Sequence, residues 1–292
     1  MHTANGTLRI SPAQLDMSVV VGPAWVMLSE HRKDFIFDSR FTSPESDSVP
    51  ASILYILIEG SFRWLGGPTF DGPCAFIASA SYFDGENGKR ELAYRSRGSN
   101  FRAVELRVGC DAFGTRGSHG PERVLLSEAA LQAARDVQES EGDAERKSHA
   151  LALLAHLQEE QILQRGFTSR SVVEEAVDGA LWAALVPMLR HISLNASSAE
   201  IASLWGTTSR GLHAALCRVV PKVHFGFTNW RAFARRYRLK LAVLFLSRPD
   251  VLLQDIAKAI GYASAEAMAH AFQDEGLRAP RDIRDAILAY RD

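Results

Sequence analysis

A pattern that occurs twice between residues 199 and 283 constrains the fold of this chain more than any other feature. Each copy has an isoleucine-alanine pair, a glycine four residues after the alanine, and then a hydroxyl residue followed by large apolar side chains at positions four and eight. The copies comprise Ile201-Ala202, Gly206 and Thr208, then Ile256-Ala257, Gly261 and Ser264. A helix, a glycine-containing turn and a capped second helix form a helix-turn-helix, whose second helix can enter the DNA major groove.

Positive charge is concentrated around the first copy. Residues 207–240 contain eight Lys or Arg and no Asp or Glu. The whole chain has a formal net charge of −1, but residues 193–292 carry 14 bases against 9 acids, a surplus of +5. A positive surplus of this size is consistent with ordinary solvated surface charge, and it is also consistent with a polyanionic binding partner. Together with the repeat, the charge predicts a protein that binds double-stranded DNA.

Several other classes of protein are disfavoured. Cys74, Cys110 and Cys217 are far apart and odd in number, so we expect neither a disulfide scaffold nor a zinc site. No histidine lies between His31 and His119, which argues against a metal enzyme of the small-barrel type, and no nucleophile elbow or phosphate loop is present. We therefore expect no enzyme, no metal and no cofactor. The absence of a leader or a long apolar run predicts a cytoplasmic protein.

Residues 1–120 are predicted to be rich in β-strands. Short β-prone runs separated by turn residues indicate a sandwich or a small barrel, so the chain as a whole is α+β. Gly60 is predicted to be a tight hairpin turn between two of the strands. The runs are 24–28, 35–41, 53–59, 61–65, 75–78 and 101–108. A small barrel often encloses a ligand, and aromatic residues in β-runs either line such a pocket or form the core. The candidate ligand-binding residues are Tyr55, Phe62, Trp64, Phe76 and Tyr82.

Helix-favouring residues replace the β-prone ones over residues 121–165. One helix is predicted to follow Ser127 as its N-cap and to end near Ser140, and a second to run from about Ala144 to Gln164. The second helix has a wide apolar face that either meets the same helix of a second subunit in a two-fold homodimer or covers the β-rich region. The candidate dimer-interface residues are Leu151, Leu154, Leu157 and Ile162. Residues 166–198 are predicted to be a linker and a packing helix over 171–191.

The first recognition helix is predicted to follow Thr208 as its cap, and to face DNA with Ser209, Arg210, His213, Ala214 and Cys217. Arg210 is the best candidate for a bidentate contact with guanine, although an arginine at this position also suits a phosphate or an internal ion pair. A long helix over 229–247 should set the distance between the two units, with Arg235 among its candidate phosphate contacts.

The second unit, over 253–274, offers Ser264, Glu266 and His270 as its DNA-binding candidates. Glu266 can accept a hydrogen bond from cytosine, and His270 can donate one to phosphate. Asp274 and the adjacent Glu275 add to the acidity of this unit. We therefore expect the second recognition helix to make fewer phosphate contacts than the first, or to face a protein partner.

The last hundred residues resemble an AraC-type (AraC/XylS family) transcriptional regulator. The resemblance rests on a constellation whose spacing agrees across both units and the connecting helix. It comprises Ile201-Ala202, Gly206, Thr208-Ser209-Arg210-Gly211-Leu212, Gly226-Phe227-Thr228, Phe233, Arg238-Leu239, Asp255-Ile256-Ala257 and Gly261-Tyr262. The β-rich region and its two trailing helices resemble, in pattern only, the cupin-like sensor domain and dimerisation arm of many such regulators.

The resemblance implies a cupin-like sensor over 1–120, a helical dimerisation arm over 121–165, and a double helix-turn-helix domain over 199–292 that reads adjacent major-groove segments. It also implies a homodimeric activator, controlled by a small-molecule effector or a partner and able to contact RNA polymerase. The alternative is a regulator-like interaction module whose DNA reading has degenerated and which binds a protein or a small molecule instead.

Overall fold

The computed structural model describes residues 1–43, 51–84, 93–167, 181–185, 196–223 and 229–290. Eight strands in this part of the chain form one antiparallel sheet with the order β1-β2-β3-β7-β4-β6-β8, and β5 pairs with β4 alone. The strands are β1 His2–Ile10, β2 Ala13–Val21, β3 Trp25–Asp38, β4 Ala51–Trp64, β5 Thr69–Asp71, β6 Cys74–Ser79, β7 Tyr94–Gly109 and β8 Glu122–Val124.

Strands β3, β4 and β7 are much longer than the runs that the sequence predicted, and Gly60 explains the length of β4. The expected hairpin at Gly60 is wrong, because the residue lies inside β4, where the pairing with β7 shifts register between Leu57 and Ser61. Gly60 has a φ of +98°, and a Cβ at this position would lie 2.7 Å from a ring carbon of Phe101. Glycine therefore allows a bulge at which the register shifts while one long strand stays paired with its neighbour.

Both faces of the sheet are covered by other parts of the chain. Alternate residues of β4 point in opposite directions: Leu54 and Ile56 belong to one buried cluster, and Ile53, Tyr55 and Leu57 to another. The short helix α1 (Ala80–Asp84) follows β6. Helices α2 (Glu128–Glu139) and α3 (Asp143–Glu159) pack on the face that Leu54 and Ile56 share.

The packing of α3 shows which residues of its apolar face are buried within the chain and which are exposed. Ser127 caps α2 as expected, accepting a hydrogen bond from the Ala130 N–H. Leu154, Leu157 and Ile162 are at most 4% exposed and lie in the core between α2, α3 and the sheet. These three residues therefore do not offer a surface to a second subunit, and the covering alternative accounts for them. Only Leu151, which is 43% exposed, stays available for such a contact.

The C-terminal helices have the boundaries expected of two helix-turn-helix units joined by a long helix. Residues 181–185, within the predicted packing helix, are helical. The rest of that helix, the linker after residue 167 and the Gly226-Phe227-Thr228 motif lie outside the described residues. The described helices are α4 Ser198–Trp205, α5 Ser209–Val219, α6 Trp230–Leu246, α7 Leu253–Ala259, α8 Ala265–Asp274 and α9 Pro280–Leu288. None of the described helices combines the length and apolarity that a membrane span requires.

The two helix-turn-helix units pack against the second face of the sheet in different places. Leu212 and Leu216 of α5 share a buried cluster with Val19 and Val26 of β2 and β3. Phe272 of α8 belongs instead to the cluster that contains Leu15, Phe35 and the aromatic residues of β4 and β6. The long helix α6 contributes to both clusters, so it links the two units along the sheet.

The C-terminal end of α6 is fixed to β3 by specific contacts. The Phe245 ring packs edge-on against Phe35, with 5.1 Å between ring centroids. Ser247, which is fully buried, accepts a hydrogen bond from the Ile36 N–H at 3.0 Å and donates one to the Leu244 carbonyl at 2.7 Å. The helix therefore ends at a point that is hydrogen-bonded to the sheet.

Candidate nucleic-acid interface

The first recognition helix, α5, has its start fixed by local hydrogen bonds. Gly206 takes a φ of +77° at the end of α4, a conformation that glycine adopts without steric cost. The Thr208 hydroxyl then accepts a hydrogen bond from the Gly211 N–H at 3.1 Å and caps α5. Leu212 and Leu216 are 1% exposed, so the apolar stripe of α5 faces inward and fixes which side of the helix meets solvent.

The opposite side of α5 is exposed at every position that the sequence nominated. These positions are Thr208, Ser209, Arg210, His213, Ala214 and Cys217. His213 Nε2 lies 3.7 Å from Cys217 Sγ, one helical turn away. Arg218 directly follows Cys217 and is also exposed, at the edge of the same face. It was not among the candidate residues. No acidic residue occurs between positions 207 and 240, so this face has the charge that a phosphate backbone attracts.

The second recognition helix, α8, repeats the backbone plan with a different surface. The Ser264 hydroxyl accepts a hydrogen bond from the Ala267 N–H at 3.2 Å, and Met268 and Phe272 are fully buried. Glu266 and His270 are exposed, and Ser264 is half-buried. Hydrogen bonding from the Ser264 side chain lowers the pKa of Glu266, so this residue is negative at neutral pH. The exposed face of α8 therefore repels phosphate at its first turn.

At least four of the eight basic residues between 207 and 240 contact other parts of the chain. Arg238 is buried over the Tyr262 ring at 4.8 Å, and burial lowers its pKa. Lys240 Nζ lies 5.6 Å from the centroid of the Phe37 ring. Arg235 and Arg236 form ion pairs with Glu275. The charge count alone therefore overstates how much positive surface α6 offers to DNA, whereas Arg231 at its first turn is exposed.

The candidate ligand residues of the β-rich region pack mainly against one another. Tyr55, Phe62, Trp64 and Phe76 are at most 6% exposed, and each ring contacts at least one of the others at centroid distances between 4.5 and 5.3 Å. Tyr82 is half-buried and lies outside this cluster, which Phe83 of α1 joins instead. Four of the five candidate ligand residues are therefore buried against one another.

Two polar atoms mark the edges of the aromatic cluster. The Tyr55 hydroxyl donates to Glu30 Oε1 at 3.1 Å, and burial raises the pKa of Tyr55 well above its ordinary value. Within the part of the chain that the structure describes, Trp64 Nε1 is buried and has no hydrogen-bond acceptor.

A polar cleft of about 1340 Å³ lies on the opposite face of the sheet, beside the α2–α3 corner. Its lining includes His31, Asn100, Arg102 and Gln138, and none of the five candidate ligand residues. His31 Nε2 and Asn100 Oδ1 are 2.6 Å apart, and Arg102 Nε donates to Gln138 Oε1 at 2.7 Å. Among the described residues, no group of three or more His, Cys, Asp or Glu is arranged to hold a metal ion.

The chain was compared with protein-family models, curated proteins and solved structures. No family model matches the chain, and no curated protein matches it significantly. The similar solved structures include ToxT from Vibrio cholerae, with a TM-score of 0.39, 9% identity, and coverage of 90% of this chain and 98% of ToxT. An unsaturated fatty acid-bound ToxT from strain SCE256 gives a TM-score of 0.38 and 10% identity, covering 94% of this chain and 99% of that one.

A third similar structure is that of CuxR, described as an AraC-like transcriptional activator. It has a TM-score of 0.33 and 10% identity, and the match covers 78% of this chain and 80% of CuxR. All three structures are similar to this chain at 9–10% sequence identity.

Proposed function

We propose that this chain is a sequence-specific DNA-binding regulator of transcription in which α5 reads base edges. The observation that carries the proposal is the exposed face of α5. There, Arg210 lies in the first turn of a capped helix whose opposite face is buried. The N-terminal part of a recognition helix is the part that reaches base edges, and a guanidinium can bind guanine in a bidentate way.

The surroundings of α5 also favour this function. Ser209, His213, Ala214 and Cys217 extend the exposed face along about two turns without a negative charge. Arg231, exposed in the first turn of α6, adds a positive side chain suited to phosphate. In this arrangement α5 contacts the bases and gives sequence specificity, while neighbouring residues contact phosphates and fix the orientation, as in most protein–DNA interfaces.

The β-rich region is proposed to control the helix-turn-helix units, in response to an effector or a partner, through the contacts between them. Both units share buried clusters with strands of the sheet, so a change in the sheet alters the surface on which they rest. A homodimer that contacts DNA twice and an activating contact with RNA polymerase complete the proposal. Leu151, exposed on α3, is the apolar residue available for the contact between subunits.

A second candidate function is favoured by the second unit. Asp274 lies 3.8 Å from Arg235, and Glu275 pairs with the same arginine at 2.5 Å. These contacts, together with the exposed Glu266, suit a unit that meets a protein rather than DNA. The alternative is thus a regulator-like interaction module with degenerate DNA reading, which binds a protein partner or a small molecule.

Selection of bound duplexes from a random pool by the full chain tests the proposal. We expect enrichment of a defined motif, and an affinity that falls steeply as salt is added because phosphate contacts release counterions. Recovery of no motif, together with an affinity that salt leaves unchanged, would contradict DNA reading. Stable co-purification of a protein in that case would favour the interaction module.

A further inference from the structure

Glu275, immediately after α8, lies where three parts of the fold meet. Its Oε1 is 2.5 Å from Nη2 of Arg235, and its Oε2 is 3.5 Å from Nε of Arg236, both on α6. The Ser43 hydroxyl, from the β-rich region, donates a hydrogen bond to Oε2 at 3.2 Å. One carboxylate therefore connects the second unit, the long helix and the β-rich region.

The burial of these groups makes the contact stronger than an ordinary surface ion pair. The Glu275 side chain is only 10% exposed, whereas those of Arg235 and Arg236 are 39% and 29% exposed. Solvent screens such a carboxylate poorly, and a hydrogen bond between two charged groups is about twice as strong as one between neutral groups. The arginines thus have a competing anion within the protein while their outer edges still face solvent.

We propose that Glu275 is a positioning residue that holds Arg235 and Arg236 away from DNA phosphate, and that Ser43 couples this restraint to the β-rich region. The inference rests on the proposed DNA-binding function and refines it. A phosphodiester that binds Nη2 of Arg235 must replace the Glu275 carboxylate, because that nitrogen already lies 2.5 Å from Oε1. Displacement of Ser43 removes one of the contacts that fix the carboxylate, and so makes this replacement easier.

The test measures how binding depends on salt, because a freed arginine that gains a phosphate contact changes that dependence. The full chain and its Glu275→Gln variant are titrated with a labelled mixed-sequence duplex of about 30 base pairs, long enough for two adjacent groove contacts. We expect the slope of log affinity against log salt to become steeper by roughly 1 to 2 in the variant, about 0.9 for each new phosphate contact.

Two further variants separate this role from a simple loss of negative charge. Asp282→Asn removes the same charge from an exposed position in α9, and should leave the slope within about 0.3 of the parent chain, because no arginine is freed. In a chain that carries Arg235→Ala and Arg236→Ala, Glu275→Gln should no longer steepen the slope. Circular dichroism shows whether each variant is folded. If Glu275→Gln does not fold, Ser43→Ala is measured in its place. We expect Ser43→Ala to steepen the slope by less than Glu275→Gln would.

The outcomes distinguish the inference from the function on which it rests. A parent chain that binds the duplex, with a Glu275→Gln slope equal to that of Asp282→Asn, overturns the role of Glu275 and leaves DNA binding intact. A parent chain that shows no salt-dependent binding overturns both. A steeper slope that persists without Arg235 and Arg236 also overturns the inference, because these residues are its only proposed route.

Discussion

The two helix-turn-helix units share a backbone plan and differ in almost every exposed side chain. In both, a glycine with positive φ precedes a capped recognition helix whose inner residues are buried. The exposed face of the first unit carries an arginine and small polar residues. The second shows Glu266 and His270, and directs two acidic residues, Asp274 and Glu275, toward the arginines of α6. A repeated fold therefore does not imply a repeated function.

The difference also extends to how each unit meets the β-rich region. The first unit rests on Val19, Val21 and Val26 through apolar contacts. The second is held by polar contacts as well, since Ser43 reaches Glu275, and Tyr290 after α9 lies over the guanidinium groups of Arg40 and Arg95. Apolar contacts are not directional, whereas hydrogen bonds fix orientation. We infer that the second unit is the more firmly oriented of the two.

The largest expected effect concerns the buried residues at equivalent positions, Leu216 and Phe272. Phe272→Ala should lower the free energy of unfolding by about 3–5 kcal/mol, and Leu216→Ala by about 2–5 kcal/mol, because both side chains are at most 1% exposed and leave cavities. Urea unfolding followed by fluorescence and by circular dichroism measures both. Each cluster also includes residues of the sheet, so the helices and the sheet should unfold together in both variants. Separate transitions would contradict a shared core.

An intermediate effect is expected on DNA affinity at the exposed positions. Arg210→Ala should weaken binding to the selected duplex by about 1–3 kcal/mol and relax the preference at one base pair, which is the usual result of losing a bidentate contact with guanine. His270→Ala, which removes the exposed histidine of α8, should change affinity by less than about 0.5 kcal/mol. Fluorescence anisotropy at one fixed salt concentration gives both values. Equal losses in the two variants would remove the asymmetry between the units.

The smallest effect concerns alkaline pH. Tyr262, which follows Gly261 in the turn of the second unit, has its pKa raised by burial, whereas Thr207 follows Gly206 in the first. A tyrosine with a raised pKa stabilises the fold fully below its ordinary pKa of about 10, and this stability is lost as pH rises through the folded pKa.

Hydrogen exchange followed by mass spectrometry as the pH is raised above about 10 should therefore show α7 and α8 opening before α4 and α5. The Tyr262→Phe variant removes the titrating hydroxyl and serves as the control. If that variant opens at the same pH as the parent chain, another group is responsible.

Local patterns predicted the helical half of this chain well. The caps at Ser127, Thr208 and Ser264 and the ends of α6 follow from residues within one turn of each boundary. The β-rich half depends on contacts between distant residues. Gly60 looks like a turn in sequence, and only its pairing with β7 makes it a bulge. The β1–β2 hairpin was not predicted, because its alternating pattern is interrupted by polar residues such as Asn5 and Ser18.

The charge count misjudged α6 for a similar reason. Arg238 meets Tyr262, and Arg235 meets Glu275, across distances of 24 and 40 residues along the chain. Such pairs are a property of the folded arrangement, since the composition of a segment does not say which side chains face inward. The exposed face of α5 was predictable because its own apolar stripe determines it.

The hydrogen bonds of Ser247 give α6 a preferred pivot. Its C-terminal end is pinned to the Ile36 N–H of β3, while its first turns rest on apolar side chains that permit sliding. The helix spans 17 residues, or about 26 Å at 1.5 Å per residue. A rotation of about 5° around the pinned end moves the other end, beside the first unit, by roughly 2 Å. A tilt of the sheet by this angle would therefore shift the end of α6 beside the first unit by more than half of the ~3.4 Å between successive nucleotides of one DNA strand.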